Sequence, residues 1–321
     1  MNSSSEKILV TGAGGQLGSE LTLELRKIYG HDQVIASDIA LPKKGELTES
    51  GPFEIMDVLS RHNLAEKAYR HNITQIYHLA AVLSATGESR PKFTWKVNMK
   101  GLENILDLAI EKRIDKVYWP SSIAVFGPTT PRQNTPQHTF MDPNTVYGIS
   151  KQTGERFCEY YAKRYRLDVR SLRYPGLIGY KALPGGGTTD YAVDIYHKAV
   201  EGQPYTCYLQ PDTYMPMMYM PDALKATLDL MHAPAENITI RSSYNLAAMS
   251  FSPAEIAAAI QKQVPDFQIS YAPDFRQQIA DSWPQSIDDT PARQDWHWQP
   301  QYNLDRMTTD MLENLRLQKG L

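Results

Sequence analysis

Short apolar runs alternate with longer stretches in which apolar residues recur every three or four positions. Lys7-Ile-Leu-Val-Thr11 reads as a buried strand, and Leu17, Leu21 and Leu25 mark one face of a helix ending near Ile28. A second strand, Gln33–Asp38, and a third, Phe53–Met56, precede a helix starting near Asn63. Gln75–Ala81 is a fourth strand. Pro91–Lys112 predicts a long helix with Val97, Leu102, Ile105, Leu106 and Ala109 on its core stripe. Lys116–Trp119 is a fifth strand, a helix covers about 146–166, and Leu167–Arg173 is a sixth strand. Strands that alternate with helices in this way predict an α/β fold, a doubly wound parallel sheet.

Past Tyr174-Pro-Gly176 the composition changes. A loop, Pro184-Gly-Gly-Gly-Thr-Thr-Asp190, leads into a helix near 191–202 and a strand at 205–209. Three glycines before Thr188, Gly185–Gly187, would allow hinge motion of this loop. Tyr214–Pro221 is dense in Met and Tyr, which suits adaptable packing or the lining of a small pocket. Asp222 starts a helix it could cap, and further elements fall at 252–263, 267–271 and 303–318. The sequence therefore reads as a nucleotide-binding domain over 1–175 and a smaller α/β substrate domain over 176–321, some of whose segments return to the first.

Composition narrows the chemistry. The 321 residues carry a net charge of -3, which gives no reason to expect nucleic acid or an acidic membrane as partner. Two cysteines, Cys158 and Cys207, stand far apart and suggest neither a disulfide framework nor a zinc set. Eight histidines are scattered, and no apolar run approaches the ~20 residues of a membrane span. The polar start, Met1–Lys7, has no apolar signal core, so a cytoplasmic location is expected.

Three features carry chemistry. Gly12-x-x-Gly15-x-x-Gly18 lies between a strand and a helix, where backbone N–H groups and the helix N-terminus can meet a diphosphate. Asp38 ends the next strand about twenty residues on, placed to accept both adenosine ribose hydroxyls and to repel a 2′-phosphate. That pairing favours NAD over NADP. Lys43 and Lys44 come later, beyond Pro42. Asp57-Val58 follows a strand end, and Asp57 could contact the adenine amino group or cap the next helix. Small residues after Gln75–His78 suit close passage of a cofactor, Ser84 lies just beyond, and His78 reads as a packed strand histidine. Asn98 is a polar residue inside an apolar helix, suited to bonding nearby backbone. Ser121 and Ser122 stand at a strand's carboxyl end, where open sheets bind ligands. The third feature is Tyr147-x-x-x-Lys151, one helical turn apart. A cation beside a phenol favours the phenolate, and moving its pKa from ~10 to ~7 takes about 4 kcal/mol.

Taken in order, Gly12/Gly15/Gly18, Asp38, His78-Leu-Ala-Ala81, Asn98, Ser122, Tyr147-x-x-x-Lys151, Arg173-Tyr-Pro-Gly176 and Pro-Ala-Arg293 with Trp298-x-Pro300 resemble the extended short-chain dehydrogenases/reductases. The resemblance implies a Rossmann fold and NAD as cofactor. It implies a site in which Gly12, Gly15, Gln16, Leu17 and Gly18 hold the pyrophosphate, with Asp38, Asp57, Val58, Leu79, Ala80, Ala81, Asn98, Lys151, Tyr174 and Pro175 also lining the cofactor. Ser122 would bond the reacting oxygen, Tyr147 would be the acid/base, and Lys151 would bind ribose and tune Tyr147. Within that family, Ser171–Tyr180, Gly185-Gly-Gly-Thr-Thr-Asp-Tyr-Ala192 and Tyr214–Leu224 are similar to the short-chain type of L-threonine 3-dehydrogenase. L-threonine is then the implied substrate, with Ser84, Ser122, Tyr147, Thr188 and Thr189 around it, no metal, and a homodimer through the helices near 91–112 and 146–166. Sugar-nucleotide epimerases and dehydratases carry an Arg where this chain has Met217-Met218-Tyr219, which disfavours that alternative. A non-catalytic NAD-binding regulator would not need Ser122, Tyr147 and Lys151 together.

Overall fold

The computed structural model describes residues 6–42, 45–183 and 187–321. Lys43, Lys44 and, within the expected hinge, Gly185 and Gly186 lie outside the described residues.

The chain forms two units. Unit one comprises Met1–Ser121, Val146–Leu172 and Thr227–Ser243; unit two comprises Ser122–Thr145, Arg173–Ala226 and Tyr244–Leu321. The two interleave along the chain: Thr227–Ser243 falls in unit one, and Ser122–Thr145 in unit two.

In unit one, β1 (Ile8–Thr11) runs between β2 (Val34–Asp38) and β4 (Gln75–His78), parallel to both, with Thr11 level with Ser37 and His78. The carboxyl ends of these strands therefore align, and the chain leaves them as Gly12, Asp38 and Leu79. Beyond β2 lies β3 (Phe53–Ile55), and β4 pairs in parallel with β5 (Lys116–Ser122). With β6 (Asp168–Tyr174) and the short β10 (Tyr244–Asn245), the seven-stranded order is β10-β6-β5-β4-β1-β2-β3. Residues 8 to 11 are all buried, as expected for a strand covered on both faces.

Between the strands lie α1 (Gln16–Tyr29), the short α2 (Glu46–Glu49), α3 (Arg61–Arg70), α4 (Ser84–Ser89), α5 (Pro91–Trp95), α6 (Gly101–Lys112) and α7 (Val146–Tyr165). Leu9, Ile76 and Val117 from the sheet pack with Leu64 of α3, Leu102 and Ile105 of α6, and Cys158 of α7 in one core cluster. Each fully buried Leu or Ile there contributes roughly 1.5–3 kcal/mol. Leu21 and Leu25 of α1 are buried as expected, whereas Leu17 is only half-buried. Arg26 completes that face. Its guanidinium donates to the carbonyls of Val34, Leu47 and Pro52 and to Ser50 Oγ, tying the 47–52 loop to α1.

The helix expected over 91–112 contains one wide turn, a π-helical segment at Lys96–Lys100 that joins α5 to α6. The extra residue shifts the phase of the stripe. Asn98 and Met99 are buried there, and Val97, expected on the core face, is half-buried.

Unit two contains a three-stranded sheet in which β9 (Met215–Tyr219) lies between β7 (Gly176–Ile178) and β11 (Met249–Phe251), parallel to the first and antiparallel to the second. Strand β8 (Tyr205–Cys207) pairs with β12 (Ile269–Tyr271). Helices α8 (Tyr191–Val200), α10 (Pro253–Gln261) and α13 (Leu304–Lys319) pack together, with Tyr196 Oη and Thr308 Oγ1 2.8 Å apart between α8 and α13. The Met-rich run is β9 itself, buried throughout, so its role is packing. Asp222, expected to cap, lies inside α9 (Met220–His232), and its carboxylate accepts from the amides of Gln301 and Tyr302. Two short helices, α11 (Arg276–Asp281) and α12 (Thr290–Trp296), complete the unit.

Candidate active site

The glycine turn shows three different needs. Gly12 has φ +73, and a Cβ there would lie 2.5 Å from the Ala80 nitrogen. A Cβ at Gly18 would sit 2.2 Å from the Gly12 carbonyl oxygen and 2.9 Å from Ala13 Cα. Both glycines are therefore demanded by the protein's own packing, one for the turn and one for seating α1 on β1. Gly15 differs, because a Cβ there would meet only the Gly12 oxygen at 3.3 Å. It stands at the N-cap of α1 without a side-chain cap, and the first turn, including Gln16 and Leu17, has no acid. The amides of that turn lack intrahelical acceptors, which suits an anion. Gly18→Ala is expected to destabilise the protein by about 2–3 kcal/mol, because the obstacle is backbone. Gly15→Ala should fold like the parent and bind NAD more weakly. Denaturant unfolding and NAD titration of the two variants check this, and equal stabilities would contradict it.

Asp38 is oriented by backbone. Gly14 N–H donates to its Oδ2 at 2.9 Å and Ile39 N–H to its Oδ1 at 2.7 Å. The carboxylate is thus held beside the glycine turn with acceptor capacity remaining on both oxygens. The link to Gly14 is not part of the glycine spacing read from sequence, although Gly14 stands in plain view between Gly12 and Gly15.

Asp57 Oδ1 accepts from the Leu59 amide at 2.8 Å, forming a local turn. The helix expected near Asn63 begins at Arg61, and its capping side chain is Ser60, not Asp57. Val58 is buried, and its carbonyl accepts from Asn104. His78 is 1% exposed, its Nδ1 is 2.8 Å from Thr11 Oγ1, and burial first, then the Lys151 charge, lowers its pKa to about 3. It is a neutral interior residue. Leu79 N–H donates to Thr11 O, and Ala80 lies against Gly12.

Asn98 is a clamp. Its Oδ1 accepts from Val82 N–H at 2.8 Å, and its Nδ2 donates to Val82 O and to Ser150 Oγ, both at 3.1 Å. Both amide hydrogens are therefore engaged within the protein, and the residue fixes the loop that follows Ala81. Ser150 in turn donates to the Tyr147 carbonyl at 2.7 Å. A continuous set of contacts thus runs from the glycine turn through residues 80–82 and Asn98 to α7. Ser84 is buried at the start of α4.

On α7, Lys151 is 3% exposed. Its Nζ donates to Pro120 O at 2.6 Å and lies 4.5 Å from the Trp119 ring centre and 5.6 Å from that of Tyr147. Trp119 can lie there because position 154 is glycine; a Cβ would fall 2.4 Å from the indole. Burial lowers the Lys151 pKa to about 7, against the pull of Cys158 and Glu155. Tyr147 is half-buried. A cation beside a phenol favours its phenolate.

The other sequence candidates lie in unit two. Ser122 is half-buried, and its Oγ accepts from the Ala124 amide at 3.2 Å. Tyr174 and Pro175 are buried, beside an Arg173 that donates to Gln137 O and Asn245 Oδ1. Thr188 is buried, and its Oγ1 has no hydrogen-bond partner among the described residues. The Thr189 side chain lies against Gly176, where a Cβ would come within 2.7 Å of it.

The model of the NAD dependent epimerase/dehydratase family matches residues 8–247. The chain belongs to this family. Membership, with a glycine turn, an open helix N-terminus and an oriented Asp38, makes it an NAD-binding enzyme of the extended short-chain dehydrogenase/reductase type, and the Rossmann-like sheet agrees. A curated relative from Staphylococcus saprophyticus, named an uncharacterized epimerase/dehydratase, is 47% identical over 96% of both chains. Among solved structures, a GalE-like L-threonine dehydrogenase from Cupriavidus necator in its holo form is 56% identical, covering 96% of this chain and 99% of that one, with TM-score 0.94. A monomeric L-threonine 3-dehydrogenase from a metagenome is 47% identical over 97% and 99% of the chains, with TM-score 0.93. A dimer is therefore not general among these neighbours. No helix among the described residues is long and apolar enough to cross a membrane.

Proposed function

We propose that this family member is an L-threonine 3-dehydrogenase that oxidises the C3 hydroxyl of L-threonine to give 2-amino-3-oxobutyrate. The observation that carries the reaction type is the Lys151 ammonium, closed off from solvent and lying over the Tyr147 ring. The substrate is supported by the solved L-threonine dehydrogenases, one 56% identical over nearly the whole chain.

Tyr147, as phenolate, takes the proton of the C3 hydroxyl, and Lys151 stabilises the phenolate. Ser122 bonds the same oxygen. Bound NAD+ supplies the acceptor for the hydride leaving C3. The α1 amides behind Gly15 hold the pyrophosphate, Asp38 takes the ribose hydroxyls and Lys151 the nicotinamide ribose, with Asp57, Val58, Leu79, Ala80, Ala81, Tyr174 and Pro175 along the cofactor. The enclosed Thr188 hydroxyl suits a polar group of the zwitterionic substrate, with Ser84 and Thr189 as its companions.

The second reading is a nucleotide-sugar epimerase or dehydratase, favoured by the printed names of the curated relatives. Against it, Met217, Met218 and Tyr219 form an interior strand where that class carries an Arg. Ligand-dependent melting of the NAD-loaded Tyr147→Phe protein separates the two. L-threonine is expected to raise Tm in a saturable way, and UDP-glucose to leave it unchanged; the reverse pattern gives the site to a nucleotide sugar.

A further inference from the structure

We propose that Glu155 is an electrostatic positioning residue, a buried carboxylate behind the Tyr147–Lys151 pair that keeps Lys151 charged. The proposal rests on the reading of that pair as the acid–base machinery. Glu155 follows Lys151 by four residues on α7, so both leave the same helix face. It is 0% exposed, an expensive place for a carboxylate unless something polar meets it. Ser121 does so, donating to Oε1 at 2.7 Å.

Three consecutive residues of β5 thereby serve the pair. Trp119 lies under the ammonium, the Pro120 carbonyl accepts from it, and Ser121 holds the carboxylate behind it. Ser121 and Ser122, indistinguishable by type, are separated by strand alternation: Ser121 is 2% exposed and faces Glu155, and Ser122 is half-buried.

Among the described residues, the groups that favour the Lys151 cation are Cys158 and Glu155. From α7, Tyr147 is the group to be tuned, and Cys158 is a buried thiol whose pKa is pushed well up by burial, so it is neutral. From β4, His78 is neutral as well. Burial draws Lys151 toward the neutral amine, and Cys158 and Glu155 oppose it. Of those two, Glu155 is the acid, four residues along the same face of α7. Without it, the amine would lose its proton and Tyr147 would lose its cation.

Glu155→Gln removes the charge and keeps an oxygen that Ser121 can bond. In a ¹³Cε-lysine NMR titration of the NAD-free full chain, with Lys151→Met identifying the resonance, the Lys151 midpoint is expected to fall by about one pH unit. The acidic limb of kcat/KM for L-threonine should move up by a similar amount, with about a tenfold loss at pH 7. An unchanged midpoint, or a rate loss equal at every pH, would overturn the proposal and leave Glu155 as a tie between α7 and β5. The NMR arm needs no substrate, so it separates this failure from a wrong substrate. Should Glu155→Gln not fold, Ser121→Ala carries the test. It withdraws the Ser121 hydroxyl from Glu155 and should lower the midpoint in the same sense, and no shift there would overturn the proposal equally.

Discussion

Replacing Tyr147 with Phe is expected to lower kcat for L-threonine oxidation about 10³-fold while NAD affinity and Tm stay near their parent values. Only the hydroxyl is removed. The ring remains half-buried over Lys151, and the Tyr147 carbonyl still accepts from Ser150. A positioned general base contributes roughly 10²–10⁴-fold, and a phenylalanine supplies none of it. Steady-state kinetics beside an NAD titration make the check. Turnover within tenfold of the parent would remove Tyr147 from the acid–base role.

The second large effect belongs to Lys151. Lys151→Met should lose about 10²–10³-fold in kcat, since the phenolate loses its neighbouring cation, a large part of the about 4 kcal/mol that the shift takes. It should also bind NAD more weakly, through the lost ribose contact. The stability effect has two opposed parts. The ammonium is 3% exposed and met by the Pro120 carbonyl and an aromatic face, an incomplete compensation for its lost hydration, which an uncharged side chain avoids. Against that, the variant leaves the buried Glu155 without its neighbouring cation, so its Tm near neutral pH should stay close to that of the parent.

The sign of the pH dependence follows. Burial takes Lys151 to about 7 in the folded chain, below the 10.5 of an unfolded lysine. Below pH 7 both states hold the proton and the full cost of the buried charge is present. Between the two values the unfolded chain binds more protons, so this group makes stability rise with pH. NAD-free parent protein should therefore gain Tm relative to Lys151→Met as pH rises from 7 toward 9. Parallel melting curves across that range would show that Lys151 does not titrate there.

The sequence discloses what is local. A three-residue apolar run, Ile8–Val10, followed by Thr11 and Gly12-x-x-Gly15-x-x-Gly18 fixes a strand, a turn and a helix start within fifteen residues, and the structure has each. Tyr147 and Lys151 sit one turn apart on a helix that was expected over about 146–166 and runs from Val146 to Tyr165. Contacts between distant residues are another matter. That Gly12 and Gly18 answer to internal packing, while a Cβ at Gly15 would meet only the Gly12 oxygen at 3.3 Å, depends on Ala80 and on the Gly12 carbonyl. The wide turn at Lys96–Lys100 has no signature in composition, yet it turns Asn98 inward to Val82 and Ser150. Asp222 has the residue type and position of a helix cap, but its partners lie far along the chain, at Gln301 and Tyr302. Glu155 likewise meets its partner Ser121 across 34 residues of chain. A return of later segments to the first domain is expected from sequence, but which residues return, 227–243, is not, because periodicity reports the face an element buries and not the partner that covers it.

The most direct test of the account is NADH formation by the purified full-length protein given NAD+ and L-threonine, with UDP- and dTDP-sugars in parallel. The account predicts NADH in stoichiometric amounts with L-threonine, lost in Tyr147→Phe, and none with the sugars. Conversion of a nucleotide sugar with no NADH from L-threonine would contradict it.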